Sequence, residues 1–307
     1  MKVSIIGGGG RVGSDAAFAL QIGGIVREIA LVDANPDMAA GEALDLRHGS
    51  ALSSSQTITS GDYDIVDGSD CVVITAGLRR KPDESRLELI NRNVGLFKGI
   101  LDSLKSVKLP GSATILVVSN PVDILTQLAA QSGILPESQV IGLGTVLDTC
   151  RFRSLLADHF HVGAKDVHAL ILGEHGDSMV PIWSSATVNG IALSSLPKFT
   201  KEEASTIFDK TKTSGAEVIR LKGGAGRAVG ISIQTVVEAI ALDSGALMPV
   251  SSIQHGALGI EGVSLSMPTQ VGKKGVEKVI VPSVSEEEKQ SLLKSAESLQ
   301  SVLAQIS

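Results

Sequence analysis

A glycine-rich segment near the N-terminus has the residue types that bind the phosphates of a dinucleotide. Gly7, Gly8 and Gly10 belong to a run of four glycines, and Gly13 follows, between a predicted strand and a predicted helix. Only glycine lets the backbone approach a pyrophosphate, which the N–H groups and dipole of a helix N-terminus stabilise. The spacings Gly8-x-Gly10-x-x-Gly13 and Gly7-x-x-Gly10-x-x-Gly13 both fit, and a tight turn without a ligand is the alternative.

A carboxylate at the end of the second predicted strand supports the phosphate-binding interpretation. Asp33 stands about 20 residues beyond the glycines, where it would accept hydrogen bonds from the ribose hydroxyls of NAD. Its charge would repel the additional phosphate of NADP. The sequence contains no GxxxxGK[ST] segment, so a phosphate loop of that type is excluded. We therefore predict that the glycine segment and Asp33 bind NAD.

Four further segments carry polar side chains, each with an ordinary structural explanation. Residues 76–86 (AGLRRKPDESR) form a cationic loop, and residues 118–123 (VSNPVD) end a strand, where ligand crevices of α/β sheets form. Asp148 and Arg151 lie three residues apart on one helix face, as in a common intrahelical ion pair. His175 stands in a turn flanked by glycines (GEHGD), and a lone histidine is most often structural.

In combination and in this order, these segments resemble the lactate/malate dehydrogenase family. The glycine loop, AGLRRKPDESR, VSNPVD, LDTCR and GEHGD all match, as does GEALDLRH at residues 41–48, and the resemblance covers nearly the whole chain. It implies an NAD-dependent dehydrogenase that moves a hydride between the cofactor and a small 2-hydroxy acid.

The resemblance also implies roles for individual side chains. His175 would give and take the proton of the substrate oxygen, because imidazole changes charge near pH 7. Asp148 would hold the other ring nitrogen, and Arg151 would bind the α-carboxylate with its planar fork. Arg86 would polarise the carbonyl once loop closure expels water. Asn120 would hydrogen-bond the substrate.

The resemblance places further residues beside the cofactor. Asn93 and Val118 would lie against NAD, together with Asn120. Family resemblance also implies a homodimer or homotetramer, and the sequence selects neither.

Arg80 decides the predicted substrate. By resemblance to the family, lactate-type members have a glutamine at this loop position and malate-type members have an arginine. The arginine would pair with the distal carboxylate of oxaloacetate. Residues 83–87 (DESRL) are closer to the lactate type, although Asp83 replaces a usual glycine, whereas Ala225 replaces a threonine usual in lactate enzymes. We predict a malate dehydrogenase of the tricarboxylic acid cycle, acting on a dicarboxylate. The alternatives are (S)-lactate dehydrogenase and a non-catalytic NAD-binding protein.

These side chains require a fold that brings strand ends together. In the first half, short apolar runs alternate with helical patterns, which predicts an α/β, doubly wound parallel sheet of the Rossmann type over residues 1–143. Residues 144–307 are predicted to form an α+β catalytic domain. It includes an antiparallel sheet over residues 248–278 and a C-terminal helix with one apolar face.

Composition excludes several other classes of protein. The 307 residues are 43% hydrophobic with a net charge of −6, which indicates a globular chain and argues against binding nucleic acid. No apolar run reaches the roughly 18–20 residues of a membrane span. We expect no metal site, because no His/Cys cluster has ligand spacing. Cys71 and Cys150 are expected to be buried thiols, and with no signal peptide they predict a cytoplasmic location.

Overall fold

The helices and strands follow the predicted alternation along the first half of the chain. The computed structural model describes residues 1–79, 81, 83–197 and 199–306. The helices are α1 (Arg11–Gly23), α2 (Pro36–Gly49), α3 (Arg86–Leu104), α4 (Val122–Gln131), α5 (Val146–Phe160), α6 (Lys201–Lys222), α7 (Arg227–Leu242) and α8 (Glu286–Leu303). The strands are β1 (Lys2–Ile6), β2 (Glu28–Val32), β3 (Thr57–Ser60), β4 (Cys71–Ile74), β5 (Thr114–Val117), β6 (Val140–Gly142), β7 (Val167–Leu172), β8 (Val180–Val188), β9 (Ile191–Ala192), β10 (Ala246–His255), β11 (Glu261–Gly272) and β12 (Gly275–Val279).

One sheet runs through both halves of the chain, in the order β3-β2-β1-β4-β5-β6-β10-β11-β12. Strands β1 to β6 pair in parallel, in the order 3-2-1-4-5-6 of Rossmann domains. The predicted doubly wound fold is therefore confirmed. The predicted antiparallel strands exist as well, but they extend the same sheet, because β10 pairs with β6 at Ser251 and Gly142.

The parallel strands are covered by side chains on both faces. Every residue of β4 and β5 is buried. Successive side chains of a strand point to opposite faces, so Ile115 and Val117 enter one hydrophobic cluster while Leu116 enters the other. Burial on both faces explains why these strands read as uninterrupted apolar runs in the sequence.

A smaller sheet, β7-β8-β9, presents the histidine turn to the large sheet. At the end of β7, Gly173 exchanges two backbone hydrogen bonds with Ser266 of β11, at N···O distances of 3.0 and 2.9 Å. Gly173 has φ +84°, and a Cβ there would lie 2.7 Å from the hydroxyl of Ser295 on α8. Glycine is therefore required where the chain turns into GEHGD.

The C-terminal helix α8 buries one face and exposes the other. The predicted apolar face of this helix is formed by the buried residues Leu292, Ala296 and Leu299. Within the described residues, no helix is both long enough and apolar enough to cross a membrane.

The two cysteines differ in exposure. Cys71 is buried in β4, as predicted, but Cys150 is exposed, so its prediction was wrong. The buried side of α5 includes Asp148, Thr149 and Phe152, and Cys150 lies outside this face.

Gly13 provides a test of the packing between α1 and the glycine loop. A Cβ on Gly13 would lie 2.2 Å from the carbonyl oxygen of Gly7 and 2.8 Å from the Cα of Gly8. We expect Gly13→Ala to lower the free energy of unfolding by about 1–3 kcal/mol, the usual cost of overpacking. Urea titration followed by circular dichroism measures the change.

Gly95→Ala is the matched control, because a Cβ at this position of α3 meets no heavy atom within 4 Å. It should stabilise the protein by about 0.5–1 kcal/mol through the higher helix propensity of alanine. Equal effects of the two substitutions would contradict the packing argument.

Candidate active site

The glycine loop lies at the carboxyl ends of β1 and β2. The N–H groups of Gly7 and Gly8 donate to the carbonyl of Val32, at 2.7 and 3.0 Å. Gly7 has φ +91°, and a Cβ on Gly8 would lie 2.8 Å from the Cβ of Leu31. Together with Gly13, three of the four predicted loop glycines are thus required by conformation or space before any ligand is considered.

Gly10 has a different environment from the other loop glycines. It is exposed and forms the N-cap of α1, where no side chain accepts from the first N–H groups of the helix. A Cβ there would meet only the carbonyl oxygen of Gly7, at 3.3 Å. This open, uncapped helix start is the environment that a pyrophosphate requires, so the loop fits a dinucleotide.

Asp33 joins the glycine loop to the end of β2. One carboxylate oxygen accepts from the N–H of Gly9 at 3.0 Å, and the other accepts from the N–H of Asn35 at 3.0 Å. The side chain is therefore fixed beside the loop, at the strand end where the ribose of a dinucleotide lies in Rossmann domains.

The remaining predicted cofactor contacts lie at the ends of β4 and β5. The amide of Asn93 holds the loop after β4, since its oxygen accepts from the N–H of Leu78 at 2.8 Å. Val118, half-buried, donates its N–H to Ile74 at 2.9 Å. Asn120 is exposed and precedes α4. The sheet thus brings Asn93, Val118 and Asn120 to the edge that also carries the glycine loop.

His175, Asp148 and Arg151 form a contiguous charged group. Asp148 is 1% exposed; one of its oxygens lies 2.5 Å from Nδ1 of His175 and the other accepts from Nη1 of Arg151 at 3.0 Å. Three of the predicted residues are therefore in direct contact, although His175 is 27 residues from Asp148.

The pKa values of the buried pair move in opposite directions. For Asp148, burial alone would raise the pKa, but the charges and hydrogen bonds of His175 and Arg151 lower it. For His175, burial alone would lower the pKa, but the charge and hydrogen bond of Asp148 raise it. Both shifts favour the imidazolium–carboxylate form of the pair, with Nε2 left for a substrate.

Arg86 lies beside the same turn. It begins α3, and its guanidinium lies 2.5 Å from Asp177 and 3.6 Å from Glu174, both in the GEHGD turn. The chain before it turns at Asp83, whose φ of +63° explains why a glycine is usual at this position. Arg80, the residue on which the malate prediction depends, lies outside the described residues.

Sequence analysis assigned no role to three carboxylates in these segments. Glu174 and Asp177 contact Arg86, and Asp123 accepts from the backbone N–H of His175. The motifs considered in the sequence include these carboxylates. However, Asp123 is 52 residues from His175 and Asp177 is 91 residues from Arg86, and contacts over such separations leave no local pattern in a sequence.

The arrangement combines three chemical capacities at one sheet edge. The glycine loop with Asp33 fits a dinucleotide, His175 with Asp148 can hold or release a proton, and Arg151 with Arg86 can bind anionic oxygens. Among the described residues, no group of histidine, cysteine and carboxylate side chains is suited to a metal ion.

Comparison with known proteins matches nearly the entire chain to one family. Residues 1–142 match the NAD-binding domain of the lactate/malate dehydrogenases, and residues 145–307 match their alpha/beta C-terminal domain. L-lactate dehydrogenase 1 of Clostridium acetobutylicum is 43% identical, over 99% of this chain and 98% of its own. The L-lactate dehydrogenase of Acetivibrio thermocellus is 40% identical, over 98% and 96%.

Solved structures agree with the sequence matches. The minor L-lactate dehydrogenase of Enterococcus mundtii, in a ligands-bound form, superposes with a TM-score of 0.95 at 35% identity, covering 100% of this chain and 98% of its own. A lactate dehydrogenase from a Medee basin deep-sea metagenome library gives 0.94 at 33% identity, covering 99% and 98%.

These relatives overturn the predicted malate specificity. Full-length relatives and structural neighbours are named lactate dehydrogenases, so the prediction of a malate dehydrogenase in the tricarboxylic acid cycle was wrong. The error came from giving one cation, Arg80, more weight than residues 83–87, which resemble the lactate type. An arginine in a sequence does not establish that its charge faces the substrate.

The cofactor and reaction class follow from the same evidence. The cofactor is NAD, and the protein is an NAD-dependent 2-hydroxy acid dehydrogenase. The chain belongs to the lactate/malate dehydrogenase family.

Proposed function

We propose that this protein is an L-lactate dehydrogenase that interconverts pyruvate and (S)-lactate. The observation that carries the proposal is the set of relatives bearing that name, at 38–43% identity across nearly their full lengths. The contact between His175 and Asp148 supports turnover, because a protein that only binds NAD has no need of a buried proton-transfer pair.

The residues that would hold the cofactor are those of the glycine loop. Gly7, Gly8, Gly10 and Gly13 would admit the pyrophosphate at the start of α1, and Asp33 would accept from the ribose hydroxyls. NADH, when bound there, supplies the hydride that reduces the keto carbon. Contacts from Asn93, Val118 and Asn120 to the cofactor remain predictions.

His175 would supply the proton in pyruvate reduction. Its Nδ1 faces Asp148, so Nε2–H is the group available to donate to the keto oxygen. The carboxylate fixes this ring orientation and stabilises the imidazolium before transfer. In lactate oxidation the neutral ring would take the hydroxyl proton back.

Arg151 would bind the carboxylate of pyruvate. Its Nη1 is anchored to Asp148, which fixes the plane of the guanidinium. On α6, a Cβ at Gly215 would lie 3.6 Å from both Nη atoms. The missing side chain at Gly215 leaves room beside the fork, which supports access by an anion. Asn120 would add a hydrogen bond to the substrate.

Arg86 would polarise the carbonyl after changing partners. Its side chain is 63% exposed and its partner Asp177 is 83% exposed. An exposed ion pair of this kind contributes about 0–1 kcal/mol, so exchanging it for a substrate oxygen costs little. Closure of the loop over the substrate would then strengthen the interaction by excluding water.

The wider organisation of the protein is part of the proposal. A boundary between residues 143 and 144 is supported by the two family matches, which end at 142 and begin at 145. A homodimer or homotetramer is supported by large apolar side chains exposed on α1 and α7, such as Ile22 and Ile231. A cytoplasmic location remains a prediction.

A substrate panel tests the proposed reaction. With NADH, we expect the unaltered enzyme to reduce pyruvate with a kcat/KM at least about 10-fold above that for oxaloacetate, because the site would then be matched to a methyl group. Loss of NADH absorbance gives the rates, and a chiral assay identifies L-lactate. Preference for oxaloacetate would contradict the proposal, and no turnover with any 2-keto acid would support a binding protein instead.

His175→Asn tests the proton-transfer role. Pyruvate reduction should fall by about 10²–10⁴-fold while NADH binding persists, because only general acid catalysis is removed. In the unaltered enzyme, the raised pKa of His175 should keep reduction active above pH 6.5 and let it fall as pH rises further; lactate oxidation should change in the opposite direction.

His161→Asn serves as the matched control, since His161 has φ +55° at the end of α5, a conformation that asparagine tolerates. Its activity should be unchanged. Near-normal turnover in His175→Asn would assign the proton transfer to another residue.

Asp33→Ser tests the cofactor preference. Loss of the charged acceptor should weaken NADH binding by about 10–150-fold, equivalent to about 1.5–3 kcal/mol, and should narrow the preference over NADPH. Fluorescence titration with both cofactors measures this, and Asp33→Asn, which keeps one acceptor oxygen, should be intermediate. Equal use of NADPH by the unaltered protein would contradict the assignment.

A further inference from the structure

A second buried carboxylate lies behind the catalytic histidine. Asp123 is 2% exposed and is the second residue of α4, three residues after Asn120. Its Oδ2 accepts from the backbone N–H of His175 at 2.7 Å. Its Oδ1 is buried and makes no hydrogen bond of standard geometry among the described residues, although the Ser251 hydroxyl lies close enough to act on the carboxylate. A buried carboxylate with one unsatisfied oxygen is costly, so its position calls for an explanation.

The surroundings of Asp123 place it within the charged group of the site. The charge of His175 acts on it, as does that of Glu174, while Asp148 and Arg151 of α5 act on the same imidazole. From β10, Ser251 is its neighbour. Arg86 of α3 and Asp177 lie beyond Glu174. His175 therefore lies between two carboxylates, one at its ring and one at its backbone.

Opposing effects act on the pKa of Asp123 and bring it close to the pH range in which the enzyme would work. Burial raises its pKa to about 6, although Ser251 and His175 oppose the rise. The positive end of the α4 dipole also favours the anion. Because the pKa of His175 is raised above its usual value, Asp123 loses its proton at lower pH than His175 does.

We propose, on the basis of the proposed function, that Asp123 is a positioning residue for His175 in the proton-transfer step. Its hydrogen bond fixes the backbone of the histidine turn against the start of α4. Its charge is a second negative charge that favours the imidazolium, in addition to that of Asp148. The start of α4 thus links the segment that carries Asn120 to the residue that moves the proton.

Asp123→Asn separates the two contributions. An amide oxygen still accepts from the N–H of His175, so the turn keeps its position, but the charge is lost. The pKa of His175 should then fall by about half a unit or more, roughly a threefold loss of proton affinity. The alkaline limb of the pH profile for pyruvate reduction should move to lower pH by the same amount, with KM for pyruvate and NADH binding little changed.

Asp123→Ser removes both the charge and the hydrogen bond to the turn, because the serine side chain is too short to reach the N–H of His175, and it introduces no bulkier group. It should show the same displacement of the limb and a further loss of kcat. Glu287→Gln is the matched control, because Glu287 is an exposed carboxylate at the second position of α8 and should leave the profile unchanged.

Proton NMR titration of the histidine rings gives a readout that needs no substrate, with His175→Asn identifying the signal. A lower pKa of His175 in Asp123→Asn supports the proposal even if pyruvate is not the substrate, so the two hypotheses fail separately. An unchanged His175 pKa in folded Asp123→Asn and Asp123→Ser, with an unchanged alkaline limb, would overturn it.

Discussion

A carboxylate as deeply buried as Asp148 stays ionised only where opposite charges offset the loss of its hydration. Here the offset comes from His175 on one oxygen and Arg151 on the other. The carboxylate of Asp148 contacts both cations, which fixes both the ring that moves the proton and the guanidinium that binds the substrate carboxylate. The geometry of the site follows from this single electrostatic requirement.

The fold meets this requirement by joining segments that are distant in sequence. The parallel strands deliver the glycine loop, Asp33 and Asn120 to one edge, where their carboxyl ends meet. The second half then supplies α5 and the turn after β7, and backbone hydrogen bonds between Gly173 and Ser266 hold that turn to β11. The cofactor side and the proton-transfer side are therefore positioned by one sheet.

Sequence analysis predicted features that depend on local pattern. Buried strands are apolar throughout, and the glycine loop with Asp33 has a fixed spacing, so the Rossmann sheet and NAD were predictable. Contacts that depend on tertiary structure were not: nothing local shows that Asp123 reaches the backbone of His175. Substrate preference failed for the same reason, because the meaning of Arg80 depends on where its side chain lies.

Because one sheet includes strands from both halves of the chain, neither half is expected to be stable as a separate fragment. The family regions meet between residues 142 and 145, but β6 ends at Gly142 and pairs there with Ser251 of β10. A fragment cut at this junction would carry an unpaired strand edge, which is the template on which protein chains aggregate. The sequence can be divided between two family regions, but the hydrogen-bonded sheet continues across the junction. The two halves would therefore unfold and be degraded together.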